Sequence, residues 1–166
     1  MNNIILIGMP GCGKTIFGKE VSKTVGLNFI DMDEYLVEKY NISINEMFKN
    51  GEGFFRDRES EAVRDVVTVK NTVIATGGGV VKRKENMDIL KASGCVVFID
   101  RSPESIIKSL DISTRPLLKG GKEKIYDLYK ERYHLYKLYA DVILDNDGTI
   151  EVGINKFKKI MKELQF

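Results

Sequence analysis

Residues 8–15 read Gly8-Met9-Pro10-Gly11-Cys12-Gly13-Lys14-Thr15, a complete G-x-x-x-x-G-K-[ST] pattern. The short apolar run Ile4-Ile5-Leu6-Ile7 precedes it, and a helical pattern opening Ile16-Phe17-Gly18-Lys19-Glu20-Val21 follows. A continuous apolar run of this length suits a strand buried on both faces of a parallel sheet, which commits the chain to an α/β architecture. Glycines let consecutive backbone N–H groups converge on phosphate oxygens, and the helix N-terminus adds its partial positive charge. Gly11, Cys12, Gly13, Lys14, Thr15 and Ile16 are thus candidate ligands of a nucleotide polyphosphate. Lys14 can reach the β- and γ-phosphates, and the Thr15 hydroxyl can ligate Mg²⁺. The pattern alone does not choose among GTPases, ATPases, switches and phosphotransferases, although no Asn-Lys-x-Asp guanine-reading motif is found.

The remaining chain repeats the strand–helix alternation. Phe29-Ile30, Thr72-Val73-Ile74-Ala75, Cys95-Val96-Val97-Phe98-Ile99 and Val142-Ile143-Leu144 read as further strands. Helical patterns run near 14–25, 33–40, 44–49, 54–69, 85–93, 104–110, 122–139 and 149–164. Alternation implies parallel pairing through right-handed crossovers, hence a three-layer α/β sandwich with a five-stranded parallel sheet. With 166 residues and no linker or repeat, residues 1–166 form a single domain. The net charge of +2 gives no reason to expect nucleic-acid binding. No run approaches the ~18 to 20 apolar residues of a membrane span, and the first strand starts too early for a signal peptide. A cytoplasmic protein without membrane partners is expected, with Cys12 and Cys95 as free thiols.

Several charged positions are candidates for chemistry. In Asp31-Met32-Asp33, residues i and i+2 can face the same zone, one holding a Mg²⁺-bound water and the other an acceptor hydroxyl. Asp33 as a mere helix cap is the competing reading. Arg56 and Glu59 lie three apart on a helix, so the arginine can fork onto a substrate carboxylate or join a surface pair. Thr76-Gly77-Gly78-Gly79 brings bare backbone close to something. Asp100 at the end of the fourth strand reads as a Walker-B-like carboxylate or, the favoured reading, as a cap of the helix starting near Ser102-Pro103-Glu104. His134, the only histidine, reads as structural or exposed, and the tyrosines at 126, 129, 133, 136 and 139 as a packed face. The polar stretch Asp111 to Lys124, with Arg115 and Gly120-Gly121, reads as a mobile loop or as an ordinary connection.

Taken together, the order and spacing of these motifs resemble the shikimate kinases over nearly the whole chain. The likeness runs from Gly8–Thr15 through Asp31-Met32-Asp33, Ser43 to Phe48, Gly51-Glu52, Phe55-Arg56 with Glu59, and Thr76 to Gly79. Arg115-Pro116-Leu117-Leu118 is similar to the family's lid signature, and Glu131-Arg132 with Leu135-Tyr136 and Ala140-Asp141 to its C-terminal one. The resemblance implies a P-loop kinase of the nucleoside-monophosphate-kinase type, with sheet order 2-3-1-4-5. It also implies a shikimate-binding helical region at about 33–60 and a mobile lid at about 111–124. Asp33, Arg56, Gly78, Gly79 and Arg132 would hold shikimate, with Asp33 as base. Asp31 would hold Mg²⁺ through water beside Thr15, and Arg115 would join Lys14 in contacting phosphate. The implied enzyme uses ATP and Mg²⁺ as a monomer. Two positions depart from the family. Lys108 stands where an adenine-stacking arginine is usual, and lysine lacks a planar face. His134 replaces a usual proline near Arg132.

Overall fold

A computed structural model describes residues 3–109 and 121–163. Five strands, β1 (Asn3–Ile7), β2 (Asn28–Asp31), β3 (Thr72–Ala75), β4 (Gly94–Asp100) and β5 (Val142–Asp145), pair in parallel in the order β2-β3-β1-β4-β5. The register sets Ile5 of β1 between Ile74 of β3 and Val96 of β4. All five residues of β1 are buried, as a central strand covered on both faces requires. Asn3 is the polar exception, and its side chain donates to Val69 O at 2.9 Å and accepts from Thr72 N at 3.1 Å. It therefore ties the start of β1 to that of β3.

The helices are α1 (Lys14–Val25), α2 (Met32–Tyr40), α3 (Ile44–Lys49), α4 (Glu52–Val66), α5 (Lys84–Ser93), α6 (Pro103–Ser109), α7 (Gly121–Tyr139) and α8 (Ile150–Glu163). Right-handed crossovers decide their faces. The β1-to-β2 connection runs past β3 in one direction, whereas β2-to-β3, β3-to-β4 and β4-to-β5 run in the other. So α1 covers one face, joined by α8, and α4, α5 and α7 cover the opposite face. The segments leaving β1 and β3 thus diverge to opposite faces between neighbouring strands. That divergence opens a crevice at their C-terminal ends, where open α/β sheets take ligands.

Local chemistry explains the element ends and corrects two capping readings. Asp31, not Asp33, caps α2, accepting from the N–H groups of Asp33 and Glu34 at 2.9 and 3.3 Å. Ser102 rather than Asp100 caps α6. Its Oγ accepts from Ser105 N at 3.2 Å, while Asp100 accepts from the Tyr133 hydroxyl at 3.2 Å. Val80–Lys82 forms a 3₁₀ helix that no periodicity announced. Ser43 and Glu46 make a reciprocal capping box on α3. Of the stretch 111–124, Gly121 to Lys124 form the first turn of α7, and 111–120, including Arg115, lie outside the described residues. Four of the five tyrosines are packed as expected, Tyr136 fully buried and stacked on Phe98 at 5.1 Å and Tyr129 stacked on Tyr133 at 4.6 Å, whereas Tyr126 is exposed and donates to Glu104. His134 is exposed, and Cys12 and Cys95 are free thiols. Among the described residues no helix is long and apolar enough to cross a membrane.

Candidate active site

A cleft of about 500 Å³ opens at the crevice between β1 and β3. On its first side lies the loop leading into α1. Gly13 takes a left-handed φ of 101° as N-cap, offers no side-chain cap, and is followed by no acidic residue in the first turn. The first N–H groups of α1 are therefore left for an external anion. Gly8 is glycine because a Cβ there would come within 2.7 Å of Ile99 O and 2.9 Å of Cys12 Sγ. This close approach seats the loop against the end of β4. Lys14 is buried, and its ammonium donates to the carbonyls of Gly8 and Met9 at 2.8 and 2.9 Å, so it is folded into the loop it serves. The Thr15 hydroxyl donates to Asp31 Oδ2 at 2.6 Å, joining α1 to the end of β2.

The second side is assembled from distant segments. On α4 the buried stripe runs Phe55, Arg56, Glu59, Ala62, Val63 and Val66, so Arg56 and Glu59 face inward. Their pairing at 2.6 Å is therefore a buried one, not the surface pair that their spacing also allowed. Exposed Glu52 lies 3.3 Å from the same guanidinium. Burial pushes the Glu59 carboxyl above its ordinary value, opposed by the Arg56 charge. Glu59 Oε1 has no hydrogen-bond partner among the described residues.

Gly77, Gly78 and Gly79 wrap this group. A Cβ on Gly79 would collide with the Arg56 guanidinium, and one on Gly78 would lie 2.7 Å from the Pro10 ring. One on Gly77 would lie 2.9 Å from Glu59 Oε1. Backbone alone fits between the arginine and the phosphate loop. The Tyr136 hydroxyl donates to Gly78 O at 2.5 Å and so fixes this loop from α7. Arg132, one turn earlier on the buried stripe of Ile125, Leu128 and Tyr136, is 3% exposed. Its Nε and Nη1 have no hydrogen-bond partner among the described residues, although Glu131 Oε1 is 3.7 Å from Nε.

Most of the expected site residues meet here. Gly11, Gly13, Lys14, Thr15, Ile16, Asp31, Asp33, Arg56, Gly78 and Gly79 all line the cleft. Cys12 is buried beneath the loop, and Arg132 lies just behind the wall, close enough for its charge to act on Glu59. Lys108 is exposed and does not line the cleft among the described residues, where the end of α6 presents Ser109. Asp100 is turned to Tyr133 and is not part of the wall either. Ser43, Ile44, Asn45, Phe48 and Arg101 line the cleft without having been singled out as ligands. Arg101 carried one usable signal, its place directly after a parallel strand's C-terminal end.

The family model for shikimate kinase matches residues 10–165 of this chain. The chain belongs to the shikimate kinase family. It is 53% identical to the shikimate kinase of Clostridium botulinum strain Alaska E43 / Type E3 over 160 residues, covering 96% of this chain and 97% of that protein. Among solved structures it superposes on shikimate kinase from Acinetobacter baumannii in complex with shikimate, with a TM-score of 0.91. The sequence identity there is 30%, covering 99% of this chain and 93% of that one. Shikimate kinase from Bacteroides thetaiotaomicron is similar at a TM-score of 0.90 and 29% identity, covering 97% and 98%. As a shikimate kinase the chain is an ATP-dependent phosphotransferase acting on an alcohol. Its sheet order β2-β3-β1-β4-β5 is the one the family resemblance implied.

Proposed function

We propose that this cleft holds MgATP on the Gly8–Thr15 side and shikimate on the α4–β3 side, and passes the γ-phosphate to the 3-hydroxyl. The observation that carries the reading is the meeting of an uncapped α1 N-terminus with a buried arginine-bearing wall in one cleft. Arg56 and Arg132 would clamp the substrate carboxylate, for which Arg132 has two unsatisfied buried nitrogens. The Gly78 and Gly79 backbone would border the ring. Asp33 would take hydrogen bonds from the ring hydroxyls and receive the proton of the attacking one. Lys14 would leave its two carbonyls for the β- and γ-phosphates. Arg115, outside the described residues, would add charge over the phosphates and exclude water.

Mg²⁺ fits the residues present. The Thr15 hydroxyl and the Asp31 carboxylate, 2.6 Å apart at the cleft wall, are the hard oxygen donors that this ion takes, Asp31 acting through water. When bound, the ion would neutralise phosphate charge. The protein's own share is positioning and electrostatics. We read the enzyme as a monomer, and the near-neutral charge suits a cytoplasmic enzyme without nucleic-acid or membrane partners. The test is the product: phosphorus and proton NMR of a reaction with MgATP and shikimate should show a phosphate ester on the 3-hydroxyl. An ester on another hydroxyl would overturn the proposed pose.

A further inference from the structure

Arg101 follows the last residue of β4 and lines the cleft together with Gly11, Gly13, Lys14 and Thr15. Its Nε is sealed from water and has no hydrogen-bond partner among the described residues. Arg56, Arg58, Arg64 and Arg83 each reach a carboxylate, at 2.6, 3.6, 3.0 and 2.8 Å. Arg101 reaches none among the described residues. Arg101 is half-buried, and an Nε–H taken from water without an acceptor is costly unless a ligand completes it.

The backbone around Arg101 is also unusually well held. Asn146 N donates to Asp100 O at 2.8 Å on one side. Ser102 N and Oγ donate to Asp147 Oδ1 at 2.8 and 2.9 Å on the other. The strand end itself abuts the phosphate loop, since Gly8 has no room for a Cβ against Ile99 O. Of the two cations in the stretch 94–109, Lys108 is exposed and off the wall, so Arg101 is the one that faces the cleft.

We propose that Arg101 is a further nucleotide-binding residue, its guanidinium donating hydrogen bonds to the triphosphate of ATP. This rests on the reading of the cleft as the MgATP site. An orphaned Nε asks for an oxygen acceptor, which phosphate supplies and the face of a base does not. Shikimate's carboxylate is the less suitable partner, because the wall that Arg56 and Arg132 build for it is the other one.

The test is calorimetric titration of wild type, Arg101→Ala and Arg101→Lys with MgATP, adenosine and shikimate, with folding checked by circular dichroism. Arg101→Ala should weaken MgATP by about tenfold or more, the scale of a charge-assisted hydrogen bond. Adenosine and shikimate affinities should stay within about twofold, and Arg101→Lys should recover only part of the MgATP loss, because it keeps the charge but not the guanidinium's donors. Unchanged MgATP binding in folded Arg101→Ala would overturn the proposal, as would an equal loss for adenosine, which would mark a base contact. A loss confined to shikimate would overturn it too. Failure of the wild type to bind MgATP would instead bring down the reading of the cleft itself.

Discussion

The two walls of the cleft are built in opposite ways. The phosphate wall is local: eight consecutive residues, 8–15, form it, and its chief donors are backbone N–H groups at an uncapped helix start. The acceptor wall is assembled from α2, α3, α4 and the loop after β3, with Arg132 of α7 just behind it, and its Arg56 and Glu59 charges are buried side chains. A local wall needs only the right φ angles and a strand before it. An assembled wall needs the whole core to bring Arg56, Glu59 and Arg132 inward, and each burial costs desolvation that a partner must offset. The difference predicts separable damage.

The largest effect is expected from Lys14→Ala, which breaks the phosphate wall alone. Turnover should fall by roughly 10² to 10³ or more, the scale for removing a donor that meets developing charge. Shikimate binding, measured by titration without nucleotide, should persist. If it disappeared as well, the two walls would not be independent. Next comes Arg56→Ala, the converse cut. It should weaken shikimate by ~2 to 5 kcal/mol, part of it from leaving Glu59 buried without its partner. MgATP affinity should hold, and a loss of both would again join the walls. The smallest effect concerns pH. Because Glu59 titrates above its ordinary value in the fold, its contribution to stability is complete below that ordinary value. The contribution is lost as pH rises through the raised one. Urea melts of the wild type should therefore decline over that window more steeply than those of Glu59→Gln. Equal slopes would mean that the Arg56 charge cancels the effect of burial.

The same contrast explains what could be read before the fold was known. Strands and helices were legible because apolar runs such as Ile4 to Ile7 and Val96 to Ile99 are unambiguous when both faces are covered. The phosphate wall was legible as a contiguous motif. The acceptor wall was open to two readings, since Arg56 and Glu59 at three-residue spacing look the same on a wet face as on a dry one. Only their place on the Phe55–Val66 stripe decides. The favoured cap at Asp100 and the competing one at Asp33 each lie two residues off, because Asp31, Asp33, Asp100 and Ser102 are all good capping types, and geometry selects among them. Tyr136 was read as packing, which it does, but its hydroxyl also holds Gly78, a bond between residues far apart in the chain. Arg101 escaped notice because nothing near it in sequence marks an unpaired cation.

The most direct measurement is ADP release from MgATP with shikimate, with gluconate, and with no acceptor. Release that rises with shikimate alone is the predicted result. It would mean that the α4–β3 wall selects the acceptor while the phosphate loop supplies the donor. Stimulation by gluconate, or release indifferent to shikimate, would contradict the assignment of Asp33, Arg56 and Arg132 to that acceptor.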